Sequence, residues 1–402
     1  MTKFLKKYLF WFFVIGLILR IGGIFFVGTH DMVEAFLPWG TAVLQKGLAN
    51  GFQGIYFPTT YIFFGFCAWI AKSISAFWFL PFKATNLLFE FLLLVFLLKI
   101  FNQKRKQIVL FYWLNPWLIL MGSWQGFWDD LMVLFLFTSS FMFESKLKNK
   151  YLLSGFLIGM SLMIKPQAQV VILSAGVFLF FREVIKFKLK RTIEYFLGSI
   201  LPFLGFSLYF FISGKPITSL LKYLLDTKNV FPVFVASEIN IWHPLSRLFQ
   251  IYFNQPGRIY NVNLGEFWFN LITNLSVICL LSIVTFFVLK TRAKMSDIYV
   301  ISLWLLPQIV TMSHVNHFIA ASVLMIPYVI KYSKLKWLWL VSITIHFYNA
   351  FARYGLGFNV FFDMEKFDMG ILQSMLGVIQ FVVTVLVIKT FFEIRKDDTY
   401  SD

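Results

Sequence analysis

Six short clusters of ionisable, amide and aromatic residues interrupt an otherwise apolar chain, and any chemistry the protein performs has to be assembled from them. They are His30 to Glu34, Trp124 to Asp130, Lys165-Pro166-Gln167, Glu238 to Pro244, His314-Val315-Asn316-His317 and Ala352 to Gly357. Asp31 is the sharpest candidate. It opens a stretch in which Val33, Phe36, Leu37, Gly40, Val43, Leu44 and Leu48 recur at helical spacing, so residues 32–46 are expected to form an amphipathic helix on a membrane surface. A carboxylate held at that water–lipid boundary can act as a general base. The plain alternative is an N-cap, with Glu34 completing a capping box, and the two roles are compatible.

The other candidates each have a plain alternative too. Asp129 and Asp130 open an expected helix at 130–144, where a carboxylate complements the helix dipole. Adjacent side chains on a helix diverge and no third carboxylate has ligand spacing, so no metal is expected there. Lys165, Arg353 and His314 compete as contacts for an anion, although a lysine at a Pro-broken run end can also be snorkelling to the interface. Arg20, deep in the first apolar run, needs a partner, and Glu90 is the nearest intramembrane acid; a structural ion pair is expected. Trp242 and His243 could equally be interfacial belt material and a loop histidine.

The elements that position these groups follow from composition. Of 402 residues, 59% are hydrophobic, only 14% are charged and 53 are Phe, which is not a soluble composition. Apolar runs of roughly 15 to 23 residues match the ~30 Å hydrocarbon core of a bilayer. Because lipid cannot satisfy an open strand edge, the runs are expected to be helices, giving an all-α polytopic membrane protein with about 12–13 transmembrane helices. Spans are expected near 8–28, 84–100, 107–122, 130–144, 151–165, 167–181, 193–213, 268–289, 297–313, 316–330, 337–351 and 370–388. Residues 57–82 are expected to be re-entrant, a hairpin of two half-spans or a pair of crossings, bracketed by Pro58 and Pro81 as breakers.

Most of the 36 Lys and Arg fall in seven short segments, 3–7, 99–106, 146–150, 182–191, 290–294, 331–336 and 389–396, which are therefore assigned to the cytoplasm together with the N-terminus. The six clusters then face outward. The net charge of +17 is punctuation between apolar runs and forms no basic stripe, which excludes a nucleic-acid binder. Cys67 and Cys279 lie inside apolar runs and support neither a disulfide framework nor a metal set. The chain reads as one integral-membrane domain, 1–402, with a first outer loop at 29–56 and a long one at 214–267. Its Phe- and Lys-heavy composition suggests a prokaryotic, AT-rich genome and hence the plasma membrane.

The ordered motifs resemble the GT-C superfamily of integral-membrane glycosyltransferases, most of all the bacterial mannosyltransferase-related group and its dolichol-phosphate-sugar-using relatives. Asp31 is followed by Phe36-Leu37-Pro38-Trp39, and Tyr56 to Tyr61 stands where the family usually has Tyr-Pro-Pro-Leu-Tyr. Asn115-Pro116, Ser123-Trp124 and Gly126 to Leu131 resemble the family's Asn-Pro and Trp-Gly-Gln-x-Asp-Ser-Leu signature, with Gln125 and Gly126 swapped and Asp130 in place of Ser. Leu153-Ser154-Gly155, Lys165-Pro166-Gln167 and Asn240-Ile241-Trp242 resemble further motifs. His314 to Phe318 stands where relatives have a His-Glu-Arg-Tyr box, here without Glu and Arg.

By this resemblance Asp31 would be the catalytic base that deprotonates an acceptor hydroxyl, with inversion at the sugar's anomeric carbon. No glycine-rich phosphate loop follows a strand pattern, and 214–267 is too short to bind a nucleotide sugar, so the donor is expected to be a polyprenyl-phosphate-linked mannose or glucose already in the membrane. Lys165, His314 and Arg353 would meet the leaving phosphate. Trp128 and Trp242 would offer flat faces to sugars, Asp129 and Glu34 would bind the acceptor or support the base, and Asp130, Gln167 and Asn240 complete the substrate-binding set. No resident cofactor is expected; the partners would be membrane lipid, the donor and a glycan, lipid or protein acceptor. The rival class is a polytopic flippase or transporter of lipid-linked glycans, against which stand the absence of an inverted repeat and the one-sided placement of the polar groups.

Overall fold

The computed structural model describes residues 3–54, 56–186, 189–230, 238–252, 266–311, 313–356 and 370–397. Among these residues the backbone is helical, with turns and no strand. Four helices are long and apolar enough to cross a membrane, namely Phe79–Ile100, Leu189–Ile212, Phe267–Lys290 and Ile371–Lys396. Tyr8–Ile24, Lys150–Leu162, Met295–Ile309 and Val315–Leu324 are shorter apolar helices. Helices close their own backbone hydrogen bonds, which is what an apolar surround demands. Large apolar side chains such as Phe10, Phe211, Phe267 and Ile371 cover their outer faces.

Proline and asparagine shape the elements differently from the simplest expectation. The single span expected at 107–122 is broken into Arg105–Ile108, a wide turn at Val109–Trp113, and Pro116–Ile119 continuing into a second wide turn at Leu120–Trp124. Asn115 makes the break, because its Oδ1 accepts from the backbone N–H groups of Trp117 (3.0 Å) and Leu118 (3.4 Å) while Pro116 supplies the first helical residue without an N–H to lose. Around Pro81 the outcome is the reverse. Pro81 does not interrupt its helix; it sits in the first turn of Phe79–Ile100, where a missing N–H costs nothing. Residues 57–82 are accordingly one helix, Pro58–Ser73, a tight turn in which Ser75 has φ +53°, and the start of the long helix.

Close helix packing depends on glycine at one seam. Lys150–Leu162 lies along Leu189–Ile212, and a Cβ added at Gly155 or Gly159 would come within 2.0 Å of the Tyr195 carbonyl oxygen or 2.4 Å of that of Ser199. This is the small-residue spacing that lets membrane helices approach backbone to backbone.

The charged ends of the helices sort into two groups. At one end Arg182 donates to the Val288 carbonyl (2.9 Å), Arg395 forms a two-pronged pair with Asp297 (2.7 and 2.8 Å) and Lys334 meets Glu393 (2.8 Å). These contacts draw the Lys- and Arg-rich segments 182–191, 290–294, 331–336 and 389–396 together. In the interior Arg20 and Glu90 form the expected ion pair, with the guanidinium 4.0 Å from the Trp113 ring centre.

Candidate functional site

Hydrogen bonds link the segments that carry the six polar clusters into one network. The Thr29 N–H donates to the Gln125 carbonyl (2.9 Å), joining the first cluster to the second. The Gln125 side-chain amide donates in turn to the carbonyls of Ala350 (3.1 Å) and Gly355 (3.0 Å), joining the last. Lys165 Nζ lies 2.7 Å from Asp129 Oδ2, and Asn316 Nδ2 donates to the same oxygen at 3.3 Å. The Glu238 N–H donates to the Ser313 carbonyl at 3.2 Å, which brings in the segment 214–267, helical at Ser219–Val230 and Trp242–Tyr252 where a loop is expected.

Local structure explains how each strand of this assembly is aimed. After the first helix, Lys3–Ile24, the chain turns at Gly28, whose φ of +103° brings it against the Gln125 carbonyl; a Cβ there would lie 2.6 Å from that oxygen. Gly126 turns likewise with φ +82°, under Met32 and Lys83. Lys83 ties both turns down. Its buried ammonium donates to the carbonyls of Gly23 (3.2 Å), which also accepts from the Phe26 N–H, of Phe26 (2.7 Å), just past the end of the first helix, and of Trp124 (2.6 Å). Lys83 is not evident as a site residue from motif order, and a lone lysine at the fifth position of an apolar helix is the signal that would have found it; Asn316 lies in the His314–His317 cluster, where the sequence assigns it no role of its own.

Asp31 lies just ahead of a wide turn, Met32–Phe36, that runs into the helix Leu37–Gly51. The capping box does not form. Asp31 has helical φ and ψ, its side chain caps nothing, and its carboxylate makes no hydrogen bond or ion pair with any described residue. It is solvent-accessible and at the same time densely surrounded by protein, the combination expected of a group lining a recess and not a convex surface. Desolvation is the largest influence on its acidity and raises its pKa above the ordinary 3.8, against the pull of His30, Lys165 and Arg353, with Glu34 adding to the rise. The helix after it packs on Pro58–Ser73, with Gly40 against the Phe64 backbone, and Val33 stays exposed.

The other candidate residues divide into committed and open groups. Asp129 does not cap the helix Asp130–Glu144; it is fully buried and spends one oxygen on Lys165 and Asn316, leaving Oδ1 unpartnered. Lys165 is equally buried, so it is neither a snorkelling lysine nor a ready anion contact: its charge is matched by Asp129, and its ammonium sits 4.5 Å from the Trp128 ring centre. Asp130 accepts from Asn86 Nδ2 (3.3 Å). Trp128 is 1% exposed, packed against Tyr56, Phe63 and Phe64, and presents no open face to a sugar. Asn240 spends its amide on the Pro307 carbonyl (2.8 Å) and its oxygen on the Trp242 N–H (3.0 Å), while Trp242 Nε1 donates to the Ile309 carbonyl. Both thus fasten the 238–244 segment to the helix Met295–Ile309.

Gln167 is buried with Oε1 unpartnered, and Glu34 is exposed with His30 3.8 Å away. His314 keeps some accessible surface in dense surroundings. Desolvation, reinforced by Arg353 and Lys165, pushes its pKa down to about 4, so the ring is neutral at pH 7 and would meet a phosphate as a hydrogen-bonding group, not as a cation. Arg353 is exposed near the end of Ser333–Tyr354, and its charge reaches both Asp31 and His314. Residues 231–237 and 253–265 of the segment 214–267, and Gly357, lie outside the described residues. Among the described residues no group of three His, Cys, Asp or Glu is placed to hold a metal ion. No protein-family model and no curated protein matches the chain.

Proposed function

We propose that the protein is an integral-membrane glycosyltransferase of GT-C type, with about 12–13 spans, that moves a mannose- or glucose-type sugar from a polyprenyl phosphate to an acceptor hydroxyl at the outer membrane face. The observation that carries this reading is Asp31: an uncapped, solvent-accessible carboxylate that makes no hydrogen bond or ion pair with a described residue and lies within electrostatic reach of Lys165 and Arg353. Asp31 accepts the acceptor's O–H proton as the acceptor oxygen attacks the anomeric carbon. The bond from that carbon to the phosphate oxygen breaks, and polyprenyl phosphate leaves with the electron pair, giving inversion. A carboxylate with a raised pKa is a better-matched base near neutral pH than an ordinary one. Arg353 is suited to stabilise the departing phosphate, with neutral His314 donating a hydrogen bond. The buried Asp129–Lys165 pair acts as the rigid wall behind these groups.

The test is turnover by purified, reconstituted protein with polyprenyl-phosphate mannose and glucose, comparing wild type with Asp31→Asn. Loss of about 10²–10⁴-fold is expected for removal of a general base. Equal turnover by a normally folded variant would take Asp31 out of the mechanism. Absence of turnover with every lipid-linked donor would favour a flippase or transporter.

A further inference from the structure

One residue of the recess carries an unspent hydrogen-bonding group that the transfer step just described does not use. Tyr56 lies in the short connection between Leu37–Gly51 and Pro58–Ser73. Its place is fixed by its neighbours: the Thr59 N–H donates to the Met163 carbonyl (3.0 Å) and the Thr60 hydroxyl to that of Ile164 (2.6 Å), docking the connection beside Lys165. The phenol ring is held edge-on against Trp128 (5.4 Å between ring centres) and Trp39 (5.8 Å), with the Lys165 ammonium 5.7 Å from its centre. A ring held on several sides has lost its rotational freedom before any ligand arrives.

Its hydroxyl, by contrast, makes no hydrogen bond to any described residue. Buried tyrosines elsewhere in the chain do: Tyr112 donates to the Glu90 carbonyl (3.0 Å), Tyr195 and Tyr299 pair at 2.7 Å, and Tyr328 donates to Asp297 (2.7 Å). Tyr56 is only partly buried, and its oxygen is not among the buried unpartnered atoms, so its hydroxyl, like the Asp31 carboxylate, is open to solvent. The two carboxylates that it faces electrostatically are Asp31 and Asp129. Lys165 matches the charge of Asp129, and Asp31 makes no ion pair with a described residue, so a neutral alcohol at that point can accept from the phenol and donate to Asp31.

We propose that Tyr56 is a substrate-contacting residue whose hydroxyl donates a hydrogen bond to a sugar hydroxyl, holding it against Asp31. The proposal rests on the recess being a sugar-transfer site and adds which of its walls grips the glycan. Tyr56→Phe keeps the ring and all its packing and removes only the donor.

The probes are methyl glycosides of mannose and glucose, with polyprenyl phosphate as the control ligand. Binding to nanodisc-embedded protein is followed by saturation-transfer NMR for the glycosides and by titration for the phosphate. Glycoside affinity is expected to fall about three- to tenfold in Tyr56→Phe, the worth of one hydrogen bond, with polyprenyl-phosphate affinity and melting temperature unchanged. 4-Aminophenylalanine at position 56, which restores a donor, is expected to recover it.

Equal glycoside affinity in wild type and variant, no glycoside affinity in wild type, or a loss confined to polyprenyl phosphate would each overturn the proposal. Turnover is scored separately: Tyr56-dependent glycoside binding in a protein without turnover would support the sugar contact and remove the transferase.

Discussion

Two aspartates illustrate how little a residue's type says about its state. Asp31 and Asp129 both precede helices, and both invite assignment as caps, yet neither caps. Asp129 is neutralised by Lys165 in the interior, while Asp31 is left unpaired at the edge of water. Burial raises the Asp31 pKa, so the acid limb of the activity profile is expected above pH 3.8, and Asp31→Asn should abolish that limb with the activity. The sign for stability is the opposite of the usual carboxylate case. A group whose pKa rises on folding costs stability when ionised, above its folded pKa, and that cost disappears as pH falls below the unfolded value. Asp31→Asn should therefore melt no lower than wild type at pH 8, and any gain should vanish near pH 3.5, as read by thermal unfolding across that range.

The buried pair makes a contrasting prediction at the same scale. Removing one charge strands the other, so Asp129→Asn or Lys165→Met alone should destabilise by about 3–5 kcal/mol, whereas the double variant should recover much of the loss. Chemical denaturation of the three variants checks this; additive losses would mean that the two groups are not paired.

At the scale of elements, short-range punctuation decides what the apolar runs become. Pro116 ends a run because Asn115 stands ready to cap the next helical turn, while Pro81 passes unnoticed because it falls in a first turn. Periodicity alone cannot separate these cases, since both are prolines in apolar sequence; the difference lies in the hydrogen-bond acceptor one residue earlier. The glycine seam between Lys150–Leu162 and Leu189–Ile212 is a further element-level device. Gly159→Ala would place a methyl 2.4 Å from the Ser199 carbonyl oxygen and should cost about 1–3 kcal/mol by forcing the helices apart. Thermal melting of the variant in nanodiscs tests it. Unchanged stability would show that the seam yields without strain. Lys83 belongs to this scale too: one ammonium donates to three backbone carbonyls and thereby fixes the turns that carry Asp31 and the 124–130 loop.

At the scale of the whole molecule, contacts join four of the Lys- and Arg-rich segments at one end, which the positive-inside rule assigns to the cytoplasm. With the free thiols Cys67 and Cys279 removed, an impermeant maleimide should label Glu34→Cys from outside intact cells and label Lys104→Cys only after permeabilisation. The reverse pattern would invert the orientation and place the recess in the cytoplasm.

The amino-acid sequence by itself determined the helical, apolar character of the chain, the separation of its charged segments into two kinds, the Arg20–Glu90 pair and the identity of the clusters that meet. These depend on composition and local order, which a one-dimensional reading contains. Only the tertiary structure decided which polar groups are spent and which remain open. Asp129 finds Lys165 across 36 positions and Asn316 across 187, and Tyr56 makes no hydrogen bond to a described residue although Trp128 and Trp39, neighbours in space and not in sequence, pack against its ring. Pairing and desolvation act over a few ångströms regardless of chain separation, and that is the physical reason the commitment of each side chain appears only once the helices are packed.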